Sequence, residues 1–160
     1  MAKEIPLTRG QFAIVDDEDY IWLNQWKWCA IKREYTWYAE RRELKSISGK
    51  ILRMHRVIIG ARAGELVDHI NGNGLDNRRT NIRICTHSQN LMNSSNKKNC
   101  SSKFKGVYWH KKGRKWAAQI QMRGSYKYLG LFSSEIDAAI AYNNAAIENF
   151  GEFARLNAIE

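Results

Sequence analysis

Four residues of the 160-residue chain have side chains suited to hydrolytic chemistry and lie close together in the sequence: Asp68, His69, Asn81 and Asn90. His69 and Asn81 are 12 positions apart, and Asn90 follows 9 positions later. An imidazole with its ordinary pKa of about 6.5 is mostly neutral at cellular pH and can take a proton from water. Asp68 and Asn90 offer hard oxygen atoms of the kind a magnesium-like cation prefers, which leaves other coordination positions to water and phosphate. One base and one cation suffice for a hydrolase. Singly, an Asp-His pair is more often a turn with a satisfied histidine, and an isolated Asn a cap or loop amide. The combination is what points to a site.

For these side chains to meet, the segment has to double back. Glu65 to Ile70 alternates apolar and polar residues, as a half-buried strand does. Asn71-Gly72 and Asn73-Gly74 supply positive φ for a tight reversal. Thr80 to Cys85 alternates again, with Ile82 and Ile84 on one face and Asn81, Arg83 and Cys85 on the other. Thr86 and Ser88 are good helix caps, so Gln89 to Met92 is expected to be helical, with Asn90 near its first turn. His55 is expected on a short helix, Met54 to Ile59, supporting the site from behind; His87 is assigned a structural role.

The runs Leu52 to Arg56, Val67 to Gly72, Leu75 to Arg79, Thr80 to Arg83 and Ser88 to Asn90 together resemble the HNH endonucleases with a ββα-metal active site, in their mobile-intron and phage homing branch. The resemblance covers roughly the first 95 residues. It implies that Asp68 and Asn90 hold a divalent metal, Mg2+ first and Mn2+ second, and that His69 is the general base. It also implies that Asn81 clasps the loop and orients His69, and that products carry 5′-phosphate and 3′-hydroxyl ends. One motif gives one cleavage centre and hence a nick; monomer and dimer both stay open. A sequence-specific DNA-binding regulator with a non-catalytic HNH fold is the alternative, and an RNA-binding protein a third reading.

The net charge of +10 and pI of 9.7 call for a polyanionic partner, here double-stranded DNA. No acidic residue lies between Asp76 and Glu135, whereas Arg78, Arg79, Arg83, Lys97 and Lys98 fall there and are expected to meet phosphates. No apolar run approaches the roughly 20 residues of a membrane span, and the N-terminal residues lack the apolar core of a signal peptide, so a cytoplasmic protein is expected. Cys29, Cys85 and Cys100 form no C-x-x-C pair and exclude a disulfide scaffold. Cys85, His87 and Cys100 lack zinc-finger spacing and a fourth ligand, so no structural zinc is expected. No small-molecule cofactor is expected.

The pattern is that of an α+β protein: residues 1–93 form an endonuclease domain with a β-rich N-terminal module, 94–102 a basic linker, and 103–160 a second domain. In the first, Asp16-Asp17-Glu18-Asp19 is expected to cap and line the start of a helix that continues through Trp22, Leu23 and Trp26. Trp22, Trp26, Trp28 and Trp37 are expected in its core. The second reads as three antiparallel strands, with turns at Lys112-Gly113 and Arg123-Gly124-Ser125, and one helix. That helix starts after Ser134 and is stopped by Gly151, with Ile136, Ala139, Ile140, Asn143, Ala146, Ile147 and Phe150 at helical intervals.

Lys105-Gly106-Val107, Lys115 to Ile120, Tyr128 to Phe132, Ala138 to Tyr142, Ala145-Ala146 and Gly151 to Asn157 are similar to the APETALA and ethylene-response-factor DNA-binding domain of plants. That resemblance implies a sheet lying in the major groove, with Lys105, Tyr108, His110, Trp116, Gln119, Gln121, Tyr126 and Tyr128 exposed towards DNA. Several places where plant members carry Arg or Glu hold Tyr or Gln here, so the base-reading code does not transfer.

Overall fold

The computed structural model of the chain describes residues 1–43, 49–96, 100–122 and 124–159. Lys97, Lys98 and Arg123, which the sequence assigned to DNA contacts and a turn, lie outside the described residues. The architecture is α+β, and the chain divides into two compact units, Met1–His87 and Ser88–Glu160. The sequence reading ended the first domain at residue 93, whereas the division falls at the start of the helix that carries Asn90. Among the described residues no helix is long and apolar enough to cross a membrane.

In the first unit, β1 (Ala2–Pro6) and β2 (Phe12–Asp16) form an antiparallel hairpin around a 3-10 turn at Thr8–Gly10. α1 (Asp17–Leu23) follows, shorter than expected. β3 (Cys29–Lys32), β4 (Trp37–Arg42) and β5 (Ile51–Arg53) form an antiparallel sheet in chain order. The helix α2 (Met54–Ile59) has the bounds expected, ended by Gly60 in the left-handed conformation. β6 (Leu66–His69) and β7 (Ile82–Cys85) make the second hairpin, and α3 (His87–Asn93) follows it. Ile5, Ala13, Val15, Leu23, Trp28, Ala39, Met54, Ile58, Leu75 and Ile82 form the core. Each large aliphatic side chain buried in it contributes about 1.5–3 kcal/mol.

β2 pairs with β1 and also holds the long loop between β6 and β7. Ile14 donates its N–H to the Leu75 carbonyl at 2.8 Å, and Asn77 donates its N–H to the Ile14 carbonyl at 2.7 Å. A buried loop has to satisfy its backbone groups somewhere, and this strand supplies the partners. The two loop glycines serve different ends. Gly72 has φ +76°, as a reversal requires, but Gly74 does not; a Cβ there would strike the Trp37 carbonyl and the Tyr38 ring.

The acidic cluster starts and lines the first turn of α1, as expected, and also acts as a clasp. Asp16 makes no side-chain capping bond and instead accepts the Arg79 N–H at 2.8 Å. Asp19, almost wholly buried, accepts Nε and Nη2 of Arg79 at 2.8 Å each and the Trp22 indole N–H at 3.2 Å. Glu18 adds an ion pair at 2.9 Å. The tryptophans divide: Trp28 is in the core, Trp22 and Trp37 flank it, and Trp26 is exposed, with the Arg41 guanidinium 4.3 Å from its ring centroid. That departs from the expected four-tryptophan core because α1 stops before Trp26.

The second unit contains an antiparallel sheet in the order β10-β9-β8, made of β8 (Val107–His110), β9 (Lys115–Met122) and β10 (Ser125–Phe132). It packs on α4 (Glu135–Phe150), which is capped by Ser134 Oγ accepting the N–H groups of Ile136 and Asp137 and is followed by Gly151 at φ +53°. The buried face of α4 is Ala138, Ala139, Tyr142, Ala145, Ala146 and Phe150; Ile136, Ile140 and Ile147 are exposed. The alanines let the helix lie close to the sheet, as their size predicts, and of the residues at helical intervals Ala139, Ala146 and Phe150 are the buried ones. Gly106, at φ +76°, lies so near that a Cβ would enter the Tyr142 ring.

Residues 94–102 are tied down where described. Asn96 Nδ2 donates to the carbonyls of Ser102 and Phe104, Ser101 Oγ accepts the Trp109 N–H, and buried Ser102 bonds Glu135. Polar side chains hold this segment, which has too little apolar surface to bury itself.

Replacing Arg79 by Ala leaves the buried Asp19 carboxylate without its cation. Because Arg79 is about half exposed, the expected loss is about 2–4 kcal/mol, below that of a fully buried pair. It is read as a lowered urea midpoint with the m-value unchanged.

Candidate functional site

His69 ends β6 and is buried, opposite Ile82 in the hairpin register. Its Nε2 lies 3.3 Å from Oδ1 of Asn77, a residue with no exposed surface. Asn77 Nδ2 donates to the Leu75 carbonyl at 3.1 Å, so the amide oxygen faces the imidazole and the ring must present a hydrogen to it. This network assigns the Nε2–H tautomer, with the lone pair on Nδ1. Burial lowers the His69 pKa from its ordinary 6.5, and the Asn77 hydrogen bond and the charges of Asp68 and Asp76 act against that. The result is a neutral imidazole with one defined basic nitrogen.

Asn81 performs the clasp expected of it and leaves the orientation of His69 to Asn77. Its Nδ2 donates to the Asp76 carbonyl at 2.7 Å and to Asn71 Oδ1 at 3.0 Å, and its Oδ1 accepts the Asn71 N–H at 3.0 Å. The loop is thereby closed on itself, with buried Asp76 accepting Arg78 at 2.8 and 2.6 Å and Asn71 Nδ2 at 2.9 Å. The Arg78 hydrogen bonds hold the Asp76 carboxyl below the usual range. Asn77 was overlooked because an Asn in a polar run reads as a turn residue. Its only sequence signal was a place in the matched run Leu75 to Arg79.

Behind His69 stand two more rings. His55, on α2, meets it edge-on at 4.8 Å between centroids, and Tyr38, on β4, packs against both at 5.6 and 5.9 Å. Burial first, then the neighbouring His69, Arg53 and Arg56, push the His55 pKa down to about 3. Its Nδ1 has no hydrogen-bond partner. The supporting position read from the sequence is where His55 lies, and a neutral ring is what that setting admits.

Asp68 is buried and accepts Nε and Nη2 of its cross-strand partner Arg83 on one oxygen, at 3.2 and 3.0 Å. The donors assigned to a metal, one carboxylate and the amide oxygen of Asn90, are hard oxygen ligands and suit a small divalent cation. No three His, Cys, Asp or Glu side chains gather into a metal-binding group among the described residues. Asn90 lies on α3, which from Ser88 onward belongs to the second unit. Within that unit Met92 packs on the core of Ile120, Tyr142 and Phe150, and Lys105 Nζ donates to the carbonyls of Leu91 and Met92 at 3.3 and 2.6 Å.

The arginines expected at phosphates have partners within the chain. Arg78, Arg79 and Arg83 are engaged with Asp76, with Asp19 and Glu18, and with Asp68, respectively. In the sequence they formed a basic block because their acidic partners lie elsewhere in the chain or just before it. Lys105 is not on the open sheet face either: its ammonium closes the end of α3, and burial lowers its pKa to about 8. Trp116 points to the helix side, packed beside Ala118 and edge-on to Trp109 at 5.1 Å. Strand alternation and register place Tyr108, His110, Gln119, Gln121, Tyr126 and Tyr128 together on the opposite face. Tyr126 and Tyr128 are the most exposed of the ring-bearing ones. A groove of about 540 Å³ is lined by Tyr108, Gln119, Gln121 and Tyr126 together with Lys105, Leu91 and Met92 and with Tyr142 and Phe150 of α4.

Comparison with known proteins adds to this geometry. The family model of HNH endonucleases matches residues 53–92. Over 158 residues the chain is 31% identical to an uncharacterized HNH endonuclease of Acanthamoeba polyphaga mimivirus, covering 95% of this chain and 78% of that protein. It is 29% identical over 93 residues to Protein 3.8 of Escherichia phage T7, covering 58% of this chain and 75% of the relative. The chain is also 52% identical over 59 residues to an APETALA2-like protein of Oryza sativa, 36% of this chain but 13% of that protein. No solved structure matches the chain.

The buried neutral His55 has a pH consequence. Its folded pKa lies below the unfolded value, so its contribution is complete above pH 6.5 and is lost as pH falls from 6.5 towards about 3. The slope is on the order of 1 kcal/mol per pH unit. His55→Phe, which keeps a ring against His69, is expected to retain neutral-pH stability and to flatten this acid limb in urea unfolding at successive pH values. An unchanged limb would mean that His55 is not held neutral.

Proposed function

The chain belongs to the HNH endonuclease family, and from that premise we propose that it is a metal-dependent, site-specific endonuclease of the homing type that nicks double-stranded DNA. The observation that carries the reading is the contact of Asn77 Oδ1 with His69 Nε2 at 3.3 Å: on the tautomer it assigns, Nδ1 is the nitrogen that would take a proton from water. Asp68, one residue earlier, and Asn90 are the residues that would hold the metal. When bound, a cation such as Mg2+ or Mn2+ offsets the charge that develops on the phosphate and the leaving oxygen. The activated water attacks phosphorus, and the products carry 5′-phosphate and 3′-hydroxyl ends. Asn81 keeps the loop closed so that Asn77 stays behind the ring.

The second unit is proposed to set the site of cutting. Its open face offers Tyr108, His110, Gln119, Gln121, Tyr126 and Tyr128 to a DNA groove, where glutamine can pair with adenine. The likeness of this segment to an APETALA2-like protein supports that role. One motif per chain corresponds to one nick, and two chains or two visits to a double-strand break.

One observation favours a second reading, a DNA-binding regulator without cleavage: the Arg83 guanidinium already neutralises Asp68. Incubating supercoiled plasmid that carries the neighbouring genomic DNA with Mg2+ separates the two. Nicking by the wild type is expected, with His69→Ala slower by about 10²–10⁴-fold. No nicking by the wild type would favour the regulator.

A further inference from the structure

Two arginines of the first unit are arranged around a buried carboxylate in a way that the nuclease reading leaves unused. Glu40 on β4 is 5% exposed. Its carboxylate accepts Arg33 Nη2 on both oxygens at 3.1 and 3.2 Å and Arg53 Nε at 3.1 Å. Arg53 is its cross-strand partner on β5, and Arg33 follows β3, its N–H bonded to the Thr36 carbonyl at 2.9 Å. Both arginine side chains are about half exposed, at 49% and 48%.

The trio stands beside the catalytic ring. Tyr38 and Glu40 project from the same side of β4, and the Tyr38 ring packs against His69 and His55. The charges of Arg33 and Arg53 both reach Tyr38, and that of Arg53 also reaches His55. One carboxylate against two guanidinium groups leaves a net positive charge at this edge of the site. Ion pairs from half-exposed arginines add little to stability, since solvent screens them and desolvation of the buried carboxylate offsets their attraction. Its physical effect is to fix the planes of two otherwise mobile side chains. Arg33 Nη2 and Arg53 Nε are the only atoms of these guanidinium groups that bond Glu40. The remaining N–H groups keep the donor capacity with which a guanidinium recognises phosphate oxygens.

We propose that Glu40 holds Arg33 and Arg53 as a two-pronged clamp for a backbone phosphate of the DNA strand next to His69. The clamp rests on the nuclease reading of the same site, and it adds to it a binding contact that positions the strand. It lies outside the run of basic residues between Asp76 and Glu135.

The test is the salt dependence of binding, with the full chain carrying His69→Ala so that no turnover intervenes and a mixed-sequence DNA duplex as probe. Each protein–phosphate contact contributes about 0.9 to the slope of log K against log salt. Because both prongs hold one phosphate, the double variant is expected to flatten the slope by about 0.9, and Arg33→Ala or Arg53→Ala alone by less. Where circular dichroism shows that an Ala variant has not folded, Arg→Gln replaces it; Gln can still donate to Glu40 but carries no charge. A double variant with the parent slope would overturn the clamp. Plasmid nicking by the otherwise wild-type chain reports separately on the nuclease reading: an unchanged slope with nicking intact removes the clamp alone, and a flattened slope without nicking removes cleavage alone.

Discussion

The hydrogen bond between Asn77 and His69 is the constraint on which the first unit depends. A buried imidazole without a defined partner would exchange tautomers and present either nitrogen to its surroundings. Here the amide is fixed at both ends, by the Leu75 carbonyl on Nδ2 and by the Ile14 carbonyl on the main-chain N–H. The β1–β2 hairpin, far from the motif in sequence, is therefore part of what positions His69, because strand β2 forms the wall against which the loop is seated. Asn81, Asp76 and Arg78 close the loop from within, and the Asp19–Arg79 pair ties it to α1. The site is an ordered loop held from outside as much as a hairpin and a helix.

Charge in this chain serves two separate ends. The +10 total suggested a continuous basic surface, but the three arginines nearest the motif are engaged with carboxylates, two of them almost wholly buried and one, Asp68, nearly so. Their first role is to hold the loop and the strand. Glu40 is the reverse case: two cations share one buried anion and keep much of their donor capacity. Net charge reported the class of partner, whereas the pairing decides which cations have donors to spare for it.

Much of the fold was legible from local pattern. The bounds of α2, the two strands of the motif hairpin, the three strands of the second unit and the Ser134 cap of α4 followed from alternation, capping and glycine placement. What was not legible depended on residues distant in sequence. Asn77 is a site residue only because β2 lies alongside it. Arg79 is a structural cation only because Asp19 lies sixty positions away. The close approach of α4 followed from its small residues, Ala138, Ala139, Ala145 and Ala146, whereas the outward position of Ile136, Ile140 and Ile147 did not, because isoleucine outweighs alanine on any hydrophobicity scale. Trp116 was placed outward by resemblance, although the register of β9 sets it beside Ala118 and Ile120.

The tautomer of His69 can be read without DNA or metal, from long-range proton–nitrogen correlation spectra of the histidine rings in the intact chain at neutral pH. The His69 signals are assigned by their loss in His69→Gln. The expected result is an imidazole protonated at Nε2 and bare at Nδ1, a preference that Asn77→Ala abolishes. An Nδ1–H ring, or a spectrum that Asn77→Ala leaves unchanged, would contradict the assignment of the base and the loop architecture built around it.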